Sequence, residues 1–223
     1  MNRAIKYRVY PDIEQELLFS KTFGCCRKVW NLMLESREEA FRKDGTQLRP
    51  TPAMYKKEYP YLKEVDSLAL ANVQLDLQDA YRRYFTVKGS GKPRFKSKKN
   101  GRQSYTTNNQ HGTVALDAEK GFIRLPKSGM LRARIHRLPE EGWLLKSATV
   151  SRDPDGKYYC SLLFEYEKEI SPVLHPQQNA LGLDYKSDGL YADSEGNVCG
   201  SPKYYRKGQK RLARAQRRLR HKQ

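Results

Sequence analysis

The chain has 223 residues, enough for one large domain or two small ones, and its net charge of +18 is concentrated. Residues 82–110 and 203–223 hold 19 of the 43 basic residues and contain no Asp or Glu. The sequence has no run of about 18 apolar residues for a membrane span, no signal-peptide pattern and no CxxC pair, which predicts a cytoplasmic protein without a disulfide framework or zinc site.

The clustering of positive charge indicates a partner. Like charges repel one another in a folded domain, whereas a docked polyanion releases counterions and supplies a compensating free energy. Nucleic acid is therefore the predicted partner, and the 15 tyrosines offer rings on which bases can stack. The alternative is that both blocks are solvated basic segments without a ligand.

The N-terminal residues predict a strand and then a helix. Apolar and polar residues alternate over residues 5–10, which predicts a half-buried strand whose outer face carries Lys6 and Arg8. Asp12, followed three residues later by Gln15, forms a capping box that begins a helix.

That first helix is expected to end at Asp44-Gly45, before a proline-broken stretch. A second helix is predicted to begin at Asp66, because apolar side chains recur on one helical face. These side chains are Leu70, Val73, Leu77, Tyr81 and Tyr84.

Beyond residue 86 the pattern changes to short alternating runs separated by turn residues, which predicts an antiparallel barrel or sandwich. The runs span residues 113–116, 122–125, 131–136, 146–150 and 158–166. Arg132 and Arg134 make one face of the third run basic.

The last segment predicts a buried strand at residues 180–185 that ends near Asp184, and then a basic helix. Leu212, Ala215 and Leu219 form a narrow apolar stripe on that helix. The rest of its circumference is basic, which favours a nucleic-acid channel over a coiled coil. Since no capping residue follows Leu219, we expect the chain to stop inside an element.

Four motifs in this order resemble the TnpB (OrfB) family of insertion-sequence proteins, which are relatives of the type V CRISPR effectors. The motifs are Arg27-Lys28-Val29-Trp30-Asn31, Pro93-Arg94-Phe95-Lys96, Leu181-Gly182-Leu183-Asp184 and Ser201-Pro202-Lys203-Tyr204-Tyr205-Arg206. Together they cover nearly the whole chain, and we expect it to be the N-terminal portion of such a protein.

The resemblance implies an α+β fold. Residues 1–10 and 86–170 would form an antiparallel wedge-like β-barrel, interrupted by a helical recognition lobe at residues 11–85. Residues 171–178 would be a linker. Residues 179–223 would be the first part of a RuvC/RNase H-like nuclease domain.

The resemblance also implies a transposon-encoded, RNA-guided DNA endonuclease in the prokaryotic cytoplasm, associated with the nucleoid. Its partners would be a guide RNA and double-stranded target DNA, without a membrane. In the complete chain, Mg²⁺ would support phosphodiester cleavage, and Asp184 matches the first carboxylate ligand of that metal. The other catalytic carboxylates and a zinc ribbon are expected beyond residue 223.

Lys186 departs from the family, whose members commonly have a glycine there, and its ammonium could compete with a metal ion at Asp184. A non-catalytic, repressor-like relative or fragment that binds RNA and DNA is therefore the alternative. An unrelated basic RNA-binding protein is a third possibility, but it would leave the strand at residues 180–185 without a role.

The candidate nucleic-acid contacts combine cations for phosphates with rings for bases and amides for base edges. They are Lys6, Arg8, Arg27, Asn31, Asn72, Lys92, Arg94, Phe95, Lys96, Lys98, Lys99, Arg102, Tyr105, Lys203, Tyr204 and Arg206. For Arg27 and Asn31, a structural bond to a neighbouring segment is an equal alternative. For the block around Pro93, the alternative is a flexible, solvated loop.

Overall fold

The computed structural model describes residues 1–99, 103–167, 181–185 and 189–220, and it divides into two compact units, Met1–Lys168 and Glu169–Gln223. The first unit contains β1 (Asn2–Tyr10), α1 (Ile13–Asp44), two 3-10 turns (Pro52–Tyr55 and Pro60–Lys63), α2 (Ser67–Thr86), β2 (Gln103–Asn108), β3 (Ala115–Asp117), β4 (Phe122–Leu125), β5 (Gly129–Arg134), β6 (Leu144–Arg152) and β7 (Tyr158–Glu165). The second contains β8 (Leu183–Tyr185), β9 (Tyr191–Asp193), β10 (Val198–Cys199) and α3 (Tyr204–Arg220). No helix in the described parts of the chain is long and apolar enough to cross a membrane.

The strands of the first unit form one antiparallel sheet in the order β2-β6-β7-β1-β5-β4-β3. The α+β class is therefore confirmed, but the predicted barrel is wrong as a closed structure, because β2 and β3 are the two edges of an open sheet. The physical reason is that α1 and α2 pack at the β2 end. Helices that cover an apolar sheet face remove the need to bury it by closing the sheet on itself.

Helix α1 begins and ends where its capping residues predict. The side chain of Asp12 accepts a hydrogen bond from the backbone N–H of Gln15 at 2.8 Å, and the Gln15 side chain accepts one from the backbone of Asp12 at 3.2 Å. At the other end Gly45 has a φ of +73°, a conformation that glycine adopts without steric cost.

Helix α2 begins after Asp66, whose side chain accepts a hydrogen bond from the N–H of Leu68 at 3.0 Å. Four of its five predicted core side chains are buried. Tyr84 is the exception, because its side chain lies at the edge of the face and is 39% exposed.

An aromatic cluster joins the helices to the sheet. Phe19 and Phe23 of α1 lie with ring centroids 6.2 and 5.8 Å from the ring of Tyr105, and Phe19 also lies 5.9 Å from Tyr158. Tyr105 belongs to β2, a strand that was not predicted because its residues lie within the basic block at residues 82–110. Truncating a buried aromatic side chain of this kind typically costs about 3–5 kcal/mol, so the contact is a main support of the fold.

The second unit has a three-stranded antiparallel sheet in the order β10-β9-β8. The prediction of a buried strand here is wrong, since Leu181 is 55% and Leu183 is 61% exposed. The physical reason is that a sheet of two- and three-residue strands cannot enclose apolar side chains between layers. The predicted linker at residues 171–178 lies outside the described residues.

Candidate nucleic-acid interface

The basic loop at residues 87–99 is attached to α1 by backbone contacts. The indole Nε1 of Trp30 donates a hydrogen bond to the carbonyl of Arg94 at 3.0 Å. The amide of Asn31 donates to the carbonyl of Lys96 at 3.0 Å and accepts from its backbone N–H at 2.8 Å. The motif that contains Trp30 and Asn31 therefore contacts the motif that contains Arg94 and Lys96. These hydrogen bonds hold the backbone of the loop along α1.

The ammonium of Lys96 packs against the same helix. Its Nζ lies 3.7 Å from the centroid of the Trp30 ring, in a cation–π contact. The residue as a whole is exposed, but its charged end is enclosed, and this burial lowers the pKa of Lys96 while nearby Asp76 opposes the shift. Lys96 therefore contributes to the docking of the loop, and its predicted contact with nucleic acid remains a prediction.

The neighbouring side chains of the loop point to solvent. Arg94, Lys98 and Lys99 are exposed, and Phe95 is 57% exposed. Lys92 is also exposed but forms an ion pair of 2.9 Å with Glu38 of α1. The predicted contact at Arg102 lies outside the described residues. The loop therefore exposes three cations and the ring of Phe95, while its backbone is hydrogen-bonded to α1.

A second cationic surface lies on the outer face of the sheet. In the pairing of β1 with β5, Arg8 stands opposite Arg134 and Tyr10 stands opposite Arg132. Like charges directly opposite each other are destabilising in an antiparallel pair. This surface is therefore costly for the isolated protein and suited to an anion that lies across both strands.

Lys6 extends this face towards β7. Its Nζ lies 4.1 Å from the ring centroid of Tyr159 and 3.7 Å from a carboxylate oxygen of Asp153. The guanidinium of Arg8 in turn lies 5.1 Å from the ring of Tyr10. Cations and aromatic rings alternate on this side of β1, as its sequence pattern predicts.

Three further predicted contacts line a cavity of about 320 Å³ between α1, α2, β2 and the loop. Arg27 is half-buried, and the amide nitrogen of Asn72 donates to the carbonyls of Leu68 and Thr106, both at 3.0 Å. Tyr105 is only 7% exposed, so its ring packs in the core and does not fit the stacking role predicted for it. The hydrogen bonds of the Asn72 amide join α2 to β2 and support the fold. The predicted contact of Asn72 with a base remains a prediction.

The remaining predicted residues lie in the second unit. Lys203 is half-buried with a φ of +47°, while Tyr204 and Arg206 are exposed at the start of α3. Asp184 is exposed in the middle of β8, where it pairs with Ala192 of β9.

The surroundings of Asp184 decide whether it fits a metal site. Among the residues that the structure describes, no three His, Cys, Asp or Glu side chains come together as a potential metal site. A single exposed carboxylate does not hold Mg²⁺, so these residues do not by themselves fit the implied site. Lys186, the departure from the family pattern, lies outside the described residues.

Sequence reasoning missed two contributors to the interface. It identified the basic face of the strand that carries Arg134 but not the pairing that sets this residue against Arg8. It also missed Glu38, whose side chain is only 17% exposed and which binds both Lys92 and Arg42. The pairing of Arg8 with Arg134 and the ion pair of Glu38 with Lys92 have no local signal, because each joins segments far apart in the chain. The pair of Glu38 with Arg42 is local, since the two residues are four positions apart on α1.

The structure defines an α+β protein with a docked cationic loop and a cationic sheet face. Residues 1–46 match a family described as a helix-turn-helix domain of OrfB from IS605. In this structure the matched residues are β1 and the single helix α1, so they do not form two helices joined by a turn.

Known proteins align with nearly the whole chain. It is 35% identical over 225 aligned residues to a Streptomyces pristinaespiralis protein named "Putative RNA-guided DNA endonuclease", and 33% identical over 225 to the Escherichia coli K12 protein of that name with the suffix InsQ. Each alignment covers 97% of this chain but 54% or 53% of the relative, so the chain spans about half the length of both. A Salmonella dublin protein named "Virulence protein VsdF" is 32% identical over 113 residues, covering 44% of this chain and 95% of that protein.

These alignments and the order of the motifs place the chain in a family. It belongs to the TnpB (OrfB) family of insertion-sequence proteins.

Proposed function

We propose that this chain forms the nucleic-acid-binding half of a transposon-encoded, RNA-guided DNA endonuclease. It binds a guide RNA and helps to hold double-stranded target DNA, while metal-dependent cleavage needs carboxylates in addition to Asp184. The proposal rests on the family and on the cationic surfaces of the first unit.

The observation that carries the proposal is the docking of the basic loop. A flexible basic segment would lose conformational entropy on binding, whereas this loop is already held at Trp30 and Asn31. The backbone that carries Arg94, and leads on to Lys98 and Lys99, is therefore held against α1, which suits recognition of a structured RNA by the positions of its phosphates.

The facing arginines of the sheet support the same partner. Arg8 and Arg134 repel each other in the free protein, and a phosphate placed between them converts this repulsion into attraction. We propose that a sugar–phosphate backbone crosses β1 and β5 at this point. The wedge-like role that the family implies for residues 1–10 and 86–170 would follow from such a path.

For the second unit we propose that residues 179–223 begin a RuvC-like domain and that Asp184 is one of its Mg²⁺ ligands. Its exposure in β8 leaves the carboxylate accessible to other elements. When bound, the metal would stabilise charge on the phosphodiester that is cleaved. In a protein of the relatives' full length, Asp184→Asn should abolish cleavage while target binding persists.

The salt dependence of RNA binding tests the proposal. Each phosphate contact contributes roughly 0.7–0.9 to the slope of log K against log salt concentration. Changing Arg94, Lys98 and Lys99 together to Gln should flatten that slope by about 2–3 units. Lys96 is left unchanged because its ammonium supports the docking of the loop.

The matched control changes three exposed cations away from both surfaces, Arg49, Lys57 and Lys63, to Gln. This variant has the same net charge as the loop variant, so a difference between them isolates position from total charge. Equal slopes for the two variants would reject the loop as the binding site. Absence of salt-dependent binding by the unchanged chain would reject the proposed function.

A further inference from the structure

The C-terminal ends of α1 and α2 enclose a second groove, of about 330 Å³, which shares Glu38 and Lys92 with the candidate interface but otherwise lies outside it. Three aromatic rings at this groove are left partly in solvent: Phe41 is 62%, Tyr84 is 39% and Phe85 is 69% exposed. Apolar side chains are normally scattered singly on a protein surface, so three rings at one groove need a reason.

The rim of this groove is cationic. Glu38 forms ion pairs with Lys92 at 2.9 Å and with Arg42 at 3.5 Å, and it holds both cations at the groove. Arg37 lies with its guanidinium 3.8 Å from the ring centroid of Tyr81, on the same side. Three cations against one carboxylate leave an excess of positive charge beside the exposed rings.

We propose that this groove binds an unpaired nucleotide of the RNA partner. The base stacks on the rings of Phe41 and Phe85, and its phosphate lies near Arg42 and Lys92. The amide of Gln47, which also lines the groove, is within the same site and can meet a base edge. The inference deepens the proposed function and rests on it, since it adds a base-binding site to a phosphate-binding surface.

Charge complementarity favours this occupant over two others. A second copy of the chain would bring the same positive rim against itself, which costs free energy by repulsion. An apolar peptide would leave the excess positive charge of the rim uncompensated. A nucleotide satisfies both features, because its base has an aromatic face and its phosphate is negative.

Binding of a ten-nucleotide single-stranded RNA, measured by fluorescence anisotropy, tests the site. Phe85→Ala should weaken binding about fivefold to a hundredfold, as expected for loss of one stacking ring. The salt slope should stay unchanged, because no charge is removed. Phe85→Trp keeps an aromatic ring at this position and should bind the RNA as tightly as the unchanged chain. The same RNA carrying abasic sites should bind the unchanged chain and Phe85→Ala equally.

Two controls keep the test decisive. Leu75→Ala removes an exposed apolar side chain from α2 outside the groove and should leave affinity unchanged. Phe85→Leu keeps apolar volume against Tyr81 and Tyr84 if Phe85→Ala unfolds the helix end, and it should still weaken binding.

The proposal is overturned if Phe85→Ala and Phe85→Leu bind the RNA as Leu75→Ala does. It is also overturned if light scattering shows a dimer that Phe85→Ala dissociates, because the groove is then an interface between copies. In both cases salt-dependent RNA binding through the loop can persist, so the proposed function stands or falls separately.

Discussion

The side-chain amide of Asn31 on α1 holds the backbone of Lys96 by two hydrogen bonds, of 2.8 and 3.0 Å, across 65 positions of the chain. The side-chain amide both donates to and accepts from the Lys96 backbone, as the backbone of a residue on a neighbouring β-strand would. It explains why an asparagine stands here, since a carboxylate could accept from the N–H but could not donate to the carbonyl.

Asn31→Ala should therefore release the loop without removing any charge. Loss of two hydrogen bonds, at about 0.5–1.5 kcal/mol each, predicts a decrease of roughly 1–3 kcal/mol in the free energy of unfolding. Limited proteolysis should then cut within residues 87–99. RNA affinity should fall while the number of phosphate contacts, read from the salt slope, changes little.

Asn31→Asp is the informative comparison, because its carboxylate can still accept from the Lys96 N–H but cannot donate to the Lys96 carbonyl. Its stability should lie between those of the unchanged chain and Asn31→Ala. Gln78→Ala, an exposed change on α2, serves as the control for amide loss. Intact protection of the loop in Asn31→Ala would show that Trp30 alone is sufficient to hold it.

The opposed arginines of β1 and β5 predict a change with opposite effects on stability and binding. Arg134→Gln removes the repulsion with Arg8 and should leave the free energy of unfolding unchanged or raise it by about 0.2–1 kcal/mol. The same change should weaken RNA binding. It should reduce the slope of log K against log salt concentration by roughly 0.7–0.9, the contribution of one phosphate contact. Urea unfolding and salt titrations measure the two effects separately.

Lys57→Gln is the control, because it removes a cation that does not face a like charge on a neighbouring strand. It should neither raise the free energy of unfolding nor reduce the salt slope of RNA binding. If Arg134→Gln lowered stability and left binding unchanged, the arginine would have a structural role and the path of the ligand across β5 would be wrong.

The elements with strong local signals could be predicted from the sequence. The capping box of Asp12 and Gln15, and Gly45 with its positive φ, fixed the ends of α1 because each signal lies within a few residues. Strand β2 could not be predicted in this way, because its alternating residues lie within the acid-free basic block at residues 82–110 and have no separate boundary signal.

Relationships between distant segments could not be predicted. The sequence shows that β1 and β5 each have a basic face, but their register depends on the order of seven strands. Likewise, the motifs containing Asn31 and Lys96 were both recognised, and only the fold shows that they contact each other. For the strand at Asp184 the apolar residues predicted burial, which requires covering layers that these short strands do not form.

Asp184→Asn should leave this chain folded and able to bind RNA. The residue is exposed, and surface substitutions away from special features usually change stability by no more than about 0.5 kcal/mol. Thermal unfolding and RNA binding should therefore match the unchanged chain. A clear loss of stability would assign Asp184 a structural role and weaken its proposal as a metal ligand.

The buried thiols predict how stability depends on alkaline pH. Burial raises the pKa of Cys26 and of Cys160 to about 12, from an ordinary value of 9.0, and the adjacent Cys25 adds to the shift of Cys26. A thiol with a raised pKa in the folded state stabilises the fold fully below pH 9. This contribution is lost as pH rises from about 9 towards 12, because the unfolded chain ionises first.

Between pH 9 and 10 each of these thiols should cost about 1 kcal/mol of unfolding free energy, close to the limiting 1.4 kcal/mol per pH unit. Urea unfolding at pH 8, 9 and 10 measures the loss, and a variant without one thiol separates its share from that of the tyrosines, which begin to ionise near pH 10. Cys160→Ala provides the internal comparison. The variant is less stable at pH 8 because a small cavity replaces the sulfur, but it no longer contains that titrating group. The stability gap between the unchanged chain and the variant should thus narrow by about 1 kcal/mol from pH 9 to pH 10. A gap that stays constant over this range would show that Cys160 ionises alike in the folded and unfolded states, contrary to its burial between the strands of the sheet.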